Sequence, residues 1–449
     1  MQKKFYFFDS DALKNFHKRV FFSITIFIFV YFIAFYRIVD IMIIDKAQDS
    51  IAHLKPLIER GNIYDRNNNL LSATIKSTAL SARPKDIKNK SILSKKLSSI
   101  ISMPEEEILD LLNKNKDFVW IKRNISPKEH QLIINIGEVG LQTQHKQDEE
   151  LYRIYPYRNT ASHVIGYINT DGIGQSGIER GLNNTLSQGN DVYLSIDINL
   201  QQAIRNELLY TLKKFSADSG FTTILDIETG EILAMNSLPD FNPNDRKTLI
   251  DKNIFNQAIE GNYEMGSVIK PITIAMGVDK GIINPDMVFD VSKPISGIKD
   301  FKPYNGKYNV KEIIVNSSNI GTAQIANKIG KKNQINFFKK IGFFDKINTE
   351  IFETALPLGN KNNWGDHETM RIGYGYAFSI TPLHLVMAYA SLSNQGKKVY
   401  PTFLKDNKIF KNSELIQDFT SSYFNKLLRA VILETKVTGK KVKIEGYEI

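Results

Sequence analysis

Residues 264–281 read EMGSVIKPITIAMGVDKG, and the order of chemistry in this stretch governs the interpretation of the whole chain. On a helix, positions i and i+3 share a face, so the Lys270 amine can lie within hydrogen-bond reach of the Ser267 hydroxyl. A lysine acts as a base only when neutral, and burial or a neighbouring cation favours that form. Pro271 is compatible with a helix that Ser267 opens, because first-turn N–H groups have no helical partner. The ITIAMGV that follows is apolar on all sides and predicts a buried helix. Simple helix packing would leave the same pattern. S-x-x-K also occurs a second time, at Ser296–Gly297–Ile298–Lys299, where it runs into DFKPYNG and reads as a loop.

Downstream, Ser317–Ser318–Asn319 forms the only S-x-N of the chain and lies between two helical patterns. A loop there can present Ser317 and Asn319 to a cleft. The hydroxyl would relay a proton beside the lysine, and the amide would hydrogen-bond a substrate amide. The competing role is a helix N-cap by Ser317 or Ser318.

Working backwards, VYLSIDINLQQAIRNELLYTLKKF (192–215) predicts a strand followed by an amphipathic helix. FTTILDIETGEILAMNS (221–237) predicts a hairpin whose strands, 221–226 and 231–236, are joined by a turn carrying Thr229–Gly230. PDFNPN (239–244) reads as a loop. A domain boundary is expected near 190. Before it, RGNIYDRNNNLL (60–71) places an Asn-rich turn between two short strand-like pieces, and 85–150 mixes Lys-rich helical stretches with loops. Lys95–Lys96 and Glu105–Glu107 read as solvated faces. Residues 40–58 read as a membrane-proximal helix or linker.

The N-terminus carries VFFSITIFIFVYFIAFY (20–36), free of charge and bracketed by Arg19 and Arg37. A helix of this run is roughly 25 Å long, within reach of a bilayer core once the flanking arginines snorkel. Lys3, Lys4, Lys14, Lys18 and Arg19 against Asp9 and Asp11 leave a balance of +3, which predicts a cytoplasmic N-terminus. No small-residue cleavage pattern follows Ala34, so an anchor is favoured over a removed signal peptide. The 449 residues contain no Cys, which excludes disulfides, Cys-ligated zinc, iron–sulfur clusters and a Cys nucleophile. The net charge of +10 suits an anionic polymer, nucleic acid or membrane surface without choosing among them.

The segments RGNIYDRNNNLL, RIYPYRNTASHVIGYINTDGIGQSGIE (153–179), LDIETGEILAMNSLPDFNPN (225–244), EMGSVIKP, VNSSNIGTA and RIGYGYAFSITPLHLVMAYASLSNQGK (371–397) occur in an order that resembles the class B penicillin-binding proteins. Within them, the wording resembles the septal peptidoglycan transpeptidases of the FtsI family. The resemblance implies an α+β chain: cytoplasmic tail 1–19, transmembrane anchor 20–39, mixed pedestal (dimerisation-type) domain 40–190, and a serine β-lactamase-like transpeptidase domain 191–449 with an antiparallel sheet packed between helices. It implies Ser267 as nucleophile, Lys270 as its base, and Ser317 with Asn319 as the second wall of the cleft. The family's third motif, K-T/S-G, does not occur in these residues. Thr438–Gly439–Lys440 has the reverse order, in the segment ETKVTGKKVKIEGYEI that precedes the motif in the family. The expectation is therefore a catalytic domain incomplete at Ile449 and poorly active as 449 residues. Met265 also departs from the family, which usually has Pro there.

The implied activity is serine D,D-transpeptidation of peptidoglycan stem peptides, on lipid-linked or nascent strands, during septal wall synthesis. It implies no metal or cofactor and no nucleic acid. β-Lactams are the implied inhibitors, and a membrane-embedded glycan polymerase with other division proteins the implied partners. The location would be the inner membrane, single-pass, with the bulk outside the cytoplasm. A non-catalytic division scaffold and a serine β-lactamase or β-lactam sensor are the alternatives, and the pedestal segments disfavour the second.

Overall fold

The structure, a computed structural model, describes residues 10–39, 59–76, 78–144, 151–169, 171–359, 364–407 and 413–434, with Ile444, Gly446 and Tyr447. The expected linker at 40–58, the first nine residues of the tail and Thr438–Gly439–Lys440 lie outside these. The chain forms two compact units, Met1–Ile58 and Glu59–Ile449.

In the first unit, α1 runs from Ser10 to Val39, beyond the charge-free run at both ends. Its stretch Phe16–Ile38, 23 residues with mean hydropathy 2.0, is the one helix among the described residues long and apolar enough to cross a membrane. The Thr25 hydroxyl donates to the Phe21 carbonyl at 2.9 Å, so this polar group is satisfied within the helix.

The second unit begins with β1 (Ile63–Tyr64), β2 (Leu70–Lys76), β3 (Thr78–Ala82), α2 (Lys90–Ile101), α3 (Glu105–Asn113), β4 (Val119–Ile125), α4 (Pro127–Ile134), β5 (Leu141–Gln144) and β6 (Leu151–Ile154). It continues through β7 (Val192–Tyr193), α5 (Ile198–Phe215) and the hairpin β8 (Gly220–Leu225) and β9 (Ile232–Leu238). Four strands make a sheet in the order β6-β2-β1-β7, with Ile63 paired in parallel to Val192. The Asn-rich turn is built on Asp65. Its buried carboxylate accepts the Asn67 and Asn69 N–H groups, both at 2.8 Å, and the Ile198 N–H at 3.2 Å, so one side chain shapes the turn and ties it to the first N–H of α5, which Asp197 caps. Strands β4-β3-β5 form a second sheet. Its small separate core joins Leu80, Val119 and Ile121 to Leu97 and Ile101 of α2 and to Ile108 and Leu112 of α3. Lys95–Lys96 and Glu105–Glu107 are exposed, as expected of solvated faces. The hairpin turns through Gly230 at φ 78°, a conformation only glycine adopts without strain. Gln201 of α5, buried, clamps β9 by accepting from the Met235 N–H and donating to the Met235 carbonyl.

The remaining elements are β10 (Tyr263–Glu264), α6 (Lys270–Asp279), β11 (Val288–Asp290), β12 (Lys307–Asn309), α7 (Val310–Val315), α8 (Asn319–Ile329), α9 (Lys331–Ile341), α10 (Asp366–Gly373), β13 (Ser379–Ile380), α11 (Pro382–Ser393) and α12 (Asp418–Glu434). Every residue from Lys270 to Val278 is buried, so α6 is enclosed on all sides, as its apolar sequence requires. Ile272, Ile274 and Met276 share a core with Ile313, Ile325, Phe338, Leu392 and Phe424. The expected boundary near 190 falls inside the second unit. A further core there combines Ile63, Val164 and Ile178 with Ile232, Ile259 and Phe403.

A buried ionic cluster ties the early segments together. Glu179, fully buried, accepts from Arg60 Nε at 2.7 Å and from Arg153 Nε at 2.8 Å. The Ser72 and Tyr155 hydroxyls also donate to it, at 3.1 and 3.4 Å. Removing one member of a buried ion pair strands the others without water, at a cost of about 3–5 kcal/mol. Glu179→Ala is therefore expected to lower unfolding free energy by about that much in denaturant titration of the detergent-solubilised protein, with Glu179→Gln recovering little of it.

Candidate active site

Ser267 lies in a 3₁₀ turn, Gly266–Ile269, and the α-helix begins only at Lys270. The sequence expectation put Ser267 at the start of the helix itself. Pro271 explains the difference. It has no N–H to offer the Ser267 carbonyl at i+4, so that carbonyl accepts from Lys270 at i+3 instead.

The turn is held from two directions. Gly266 donates its N–H to the Gly375 carbonyl at 2.9 Å. Gly375 has φ 95°, and a Cβ there would stand 1.9 Å from the Gly266 oxygen, so only glycine allows this approach. The Tyr389 hydroxyl of α11 donates to the Val268 carbonyl at 2.7 Å, fixing the far side of the turn. Pairing of β10 with β13 and a 2.6 Å bond from the Ala377 N–H to the Glu264 carboxylate bring the 374–380 segment alongside.

The structure brings Ser267, Lys270 and Ser317 into one hydrogen-bonded line. Lys270 is 1% exposed, and its Nζ donates to the Ser317 carbonyl at 2.6 Å and the Ser317 hydroxyl at 3.0 Å. The Ser317 hydroxyl donates to the Ser267 hydroxyl at 3.1 Å. The lysine thus reaches Ser267 through Ser317 rather than by the direct i to i+3 contact anticipated from spacing. Both hydroxyls are exposed, and the amine beneath them is not. Burial pulls the Lys270 amine down to about 8, against the opposing pull of the Asp300 carboxylate.

Ser317 adopts φ 53°, a left-handed conformation uncommon for serine, and this aims its carbonyl and hydroxyl at the same amine. Ser318, not Ser317, caps α8, its hydroxyl accepting from the Gly321 N–H at 3.0 Å. Asn319 is the first residue of α8, and its amide donates to the Lys299 carbonyl at 3.0 Å. The second S-x-x-K copy is a loop with Ser296 and Gly297 both at positive φ. Its neighbour Asp300 accepts from the Ser318 hydroxyl at 2.7 Å and the Ile320 N–H at 2.9 Å. Sequence reasoning missed Asp300, Tyr389 and Gly375. Each acts through a contact with a distant segment, which no local spacing signals.

Residues 220–449 match the penicillin binding protein transpeptidase domain, and residues 57–208 the penicillin-binding protein dimerisation domain. The chain belongs to the class B penicillin-binding proteins of the FtsI type. This penicillin-binding protein is 30% identical, over 429 residues, to the peptidoglycan D,D-transpeptidase FtsI of Buchnera aphidicola subsp. Schizaphis graminum, covering 87% of this chain and 74% of that one. It is 27% identical, over 407 residues, to a probable peptidoglycan D,D-transpeptidase FtsI of Caulobacter vibrioides, covering 87% of this chain and 67% of the relative. A peptidoglycan synthetase from Bifidobacterium adolescentis shares the fold at TM-score 0.66 and 17% identity, over 87% of this chain and 83% of that one.

A line from exposed hydroxyl to buried amine can carry a proton only when the amine is neutral. The rate of β-lactam acylation of the penicillin-binding protein, expressed from its native coding sequence, is therefore expected to rise with pH through about 8 and then level off. Lys270→Arg keeps the charge but cannot deprotonate, and acylation should fall by about 10²–10⁴-fold at every pH. Stopped-flow acylation across pH 6–10 checks both.

Proposed function

We propose that this protein is a serine D,D-transpeptidase that cross-links peptidoglycan stem peptides in septal wall synthesis, with Ser267 as its nucleophile. The observation that carries the reading is the line from Lys270 through Ser317 to Ser267. With Lys270 neutral, the hydrogen bonds reverse: the Ser267 hydroxyl donates to Ser317, and Ser317 donates to the amine. The Ser267 oxygen attacks the carbonyl of the penultimate D-alanine, and its proton passes to Nζ. The C–N bond breaks, the proton returns to the departing D-alanine nitrogen, and an acyl-enzyme remains. An amine from a neighbouring stem peptide then attacks the ester, giving up a proton along the same line as Ser267 is released. Asn319 hydrogen-bonds the stem-peptide amide. The same serine takes β-lactams.

In this reading, 40–190 is the pedestal and 191–449 the transpeptidase domain, with α1 as the single membrane span. The N-terminus is cytoplasmic, and a membrane-embedded glycan polymerase and other division proteins are the partners. The basic flank of α1 supports the orientation, and the likeness to FtsI supports the division setting.

Two experiments test this. Ser267→Ala should abolish labelling by a fluorescent penicillin while Ser296→Ala retains it, and the opposite pattern would place the nucleophile on the loop copy. A reporter active only outside the cytoplasm, fused after residue 60, should give signal. A cytoplasmic readout there would overturn the assignment to wall synthesis.

A further inference from the structure

We infer that Asp300 is a positioning residue for this reaction, its carboxylate holding the Ser317–Ser318–Asn319 turn whose first residue receives the Lys270 amine. The inference rests on the reading of Ser267 and Lys270 above and adds to it a residue outside the three motifs.

The loop that presents Asp300 is built to a fixed shape. Ile295 and Ile298 exchange backbone hydrogen bonds at 3.3 and 2.8 Å across Ser296 and Gly297, whose φ values of 46° and 79° make a tight two-residue turn. Ile298, 6% exposed, plugs into a small apolar cluster with Ala323 of α8 and Met370 of α10. Lys299 and Asp300 therefore leave the turn against α8 at a set height. From there, three bonds grip the S-x-N turn: Asn319 Nδ2 to the Lys299 carbonyl, the Ser318 hydroxyl to Asp300 Oδ2, and the Ile320 N–H to Asp300 Oδ1. Ser317 itself is in a left-handed conformation that its own side chain does not favour, so the grip on its neighbours keeps its hydroxyl between Lys270 and Ser267.

Charge follows from the same placement. Asp300 is the charged group that bears on Lys270 and opposes the effect of burial on its amine. The amine itself donates to the Ser317 hydroxyl and carbonyl. Around Asp300 itself lie Tyr308 of β12, whose phenol feels both Asp300 and Glu312 of α7, and the sequence neighbours Lys299 and Lys302. An uncharged residue at 300 therefore leaves the amine neutral to lower pH, whereas a scaffold-only role would leave the titration in place.

The test is the pH dependence of penicillin acylation in the protein expressed from its native coding sequence, with the adduct located by peptide mass spectrometry. Asp300→Asn keeps the size and one acceptor but removes the charge. The rising limb of its profile is expected to move to lower pH, with the adduct still on Ser267. Ser318→Ala removes one bond of the grip together with the α8 cap and leaves the charge, and it should lower the plateau without moving the limb. Melting temperatures of both variants separate loss of fold from loss of alignment. An Asp300→Asn profile that superimposes on the wild type along the pH axis, with the adduct on Ser267 and the fold intact, overturns this inference alone. An adduct on another serine in the wild type overturns the reading of Ser267 and this inference with it.

Discussion

A lysine amine enclosed in a protein interior must be met by oxygen atoms, and Lys270 is met by two from a single residue. That requirement organises the catalytic half of the molecule. Leaving the amine without partners would cost several kcal/mol by desolvation alone. The Ser317 backbone is accordingly bent into a conformation that points carbonyl and hydroxyl the same way. Helix α8 starts immediately after this bend because the bend ends at a capping residue, Ser318. The apolar enclosure of α6 does double duty. It holds the helix, and it is the medium that draws the amine towards neutrality. Packing and reactivity are here the same physical fact.

Glu179 plays the corresponding part for the segments before the catalytic half. One carboxylate gathers residues 60, 72, 153 and 155, which precede it in the chain by 24 to 119 positions. Arg60 also donates to the Glu179 carbonyl and to Asn183, and Arg153 to the Arg60 carbonyl, so backbone and side chain are locked together. Such a cluster adds little net stability over an apolar one, but it admits only one arrangement of its members.

Much of this was legible from residue order. The apolar run at 272–278 is buried, the hairpin turns at Gly230, the Asn-rich turn forms at 65–69, and the long apolar helix lies where the charge-free run stands. These are local consequences of periodicity and turn chemistry. The spacing of Ser267 and Lys270 also brought the two into one line with Ser317, although not by the direct contact that an ideal helix would give. Pro271 suits the first turn of a helix, yet its missing N–H makes the turn before it 3₁₀. What sequence did not reveal lies in contacts between segments. Tyr389 meets Val268 across 121 positions, and the Gly375 approach to Gly266 depends on where a distant turn ends. The second S-x-x-K copy is a loop, as its sequence predicts, yet its tail supports the S-x-N turn.

The pairing of β1 with both β2 and β7 has a mechanical meaning. The chain enters the second unit at Glu59, reaches Arg60 at once and then becomes a strand flanked on both sides. Tension arriving along the chain from its N-terminal side would have to shear the antiparallel and the parallel ladders together, and pull a guanidinium off Glu179, before it displaced anything nearer Ser267. Ladders loaded in shear share a pull among several hydrogen bonds at once, so the entry point is secured by backbone and side chain together.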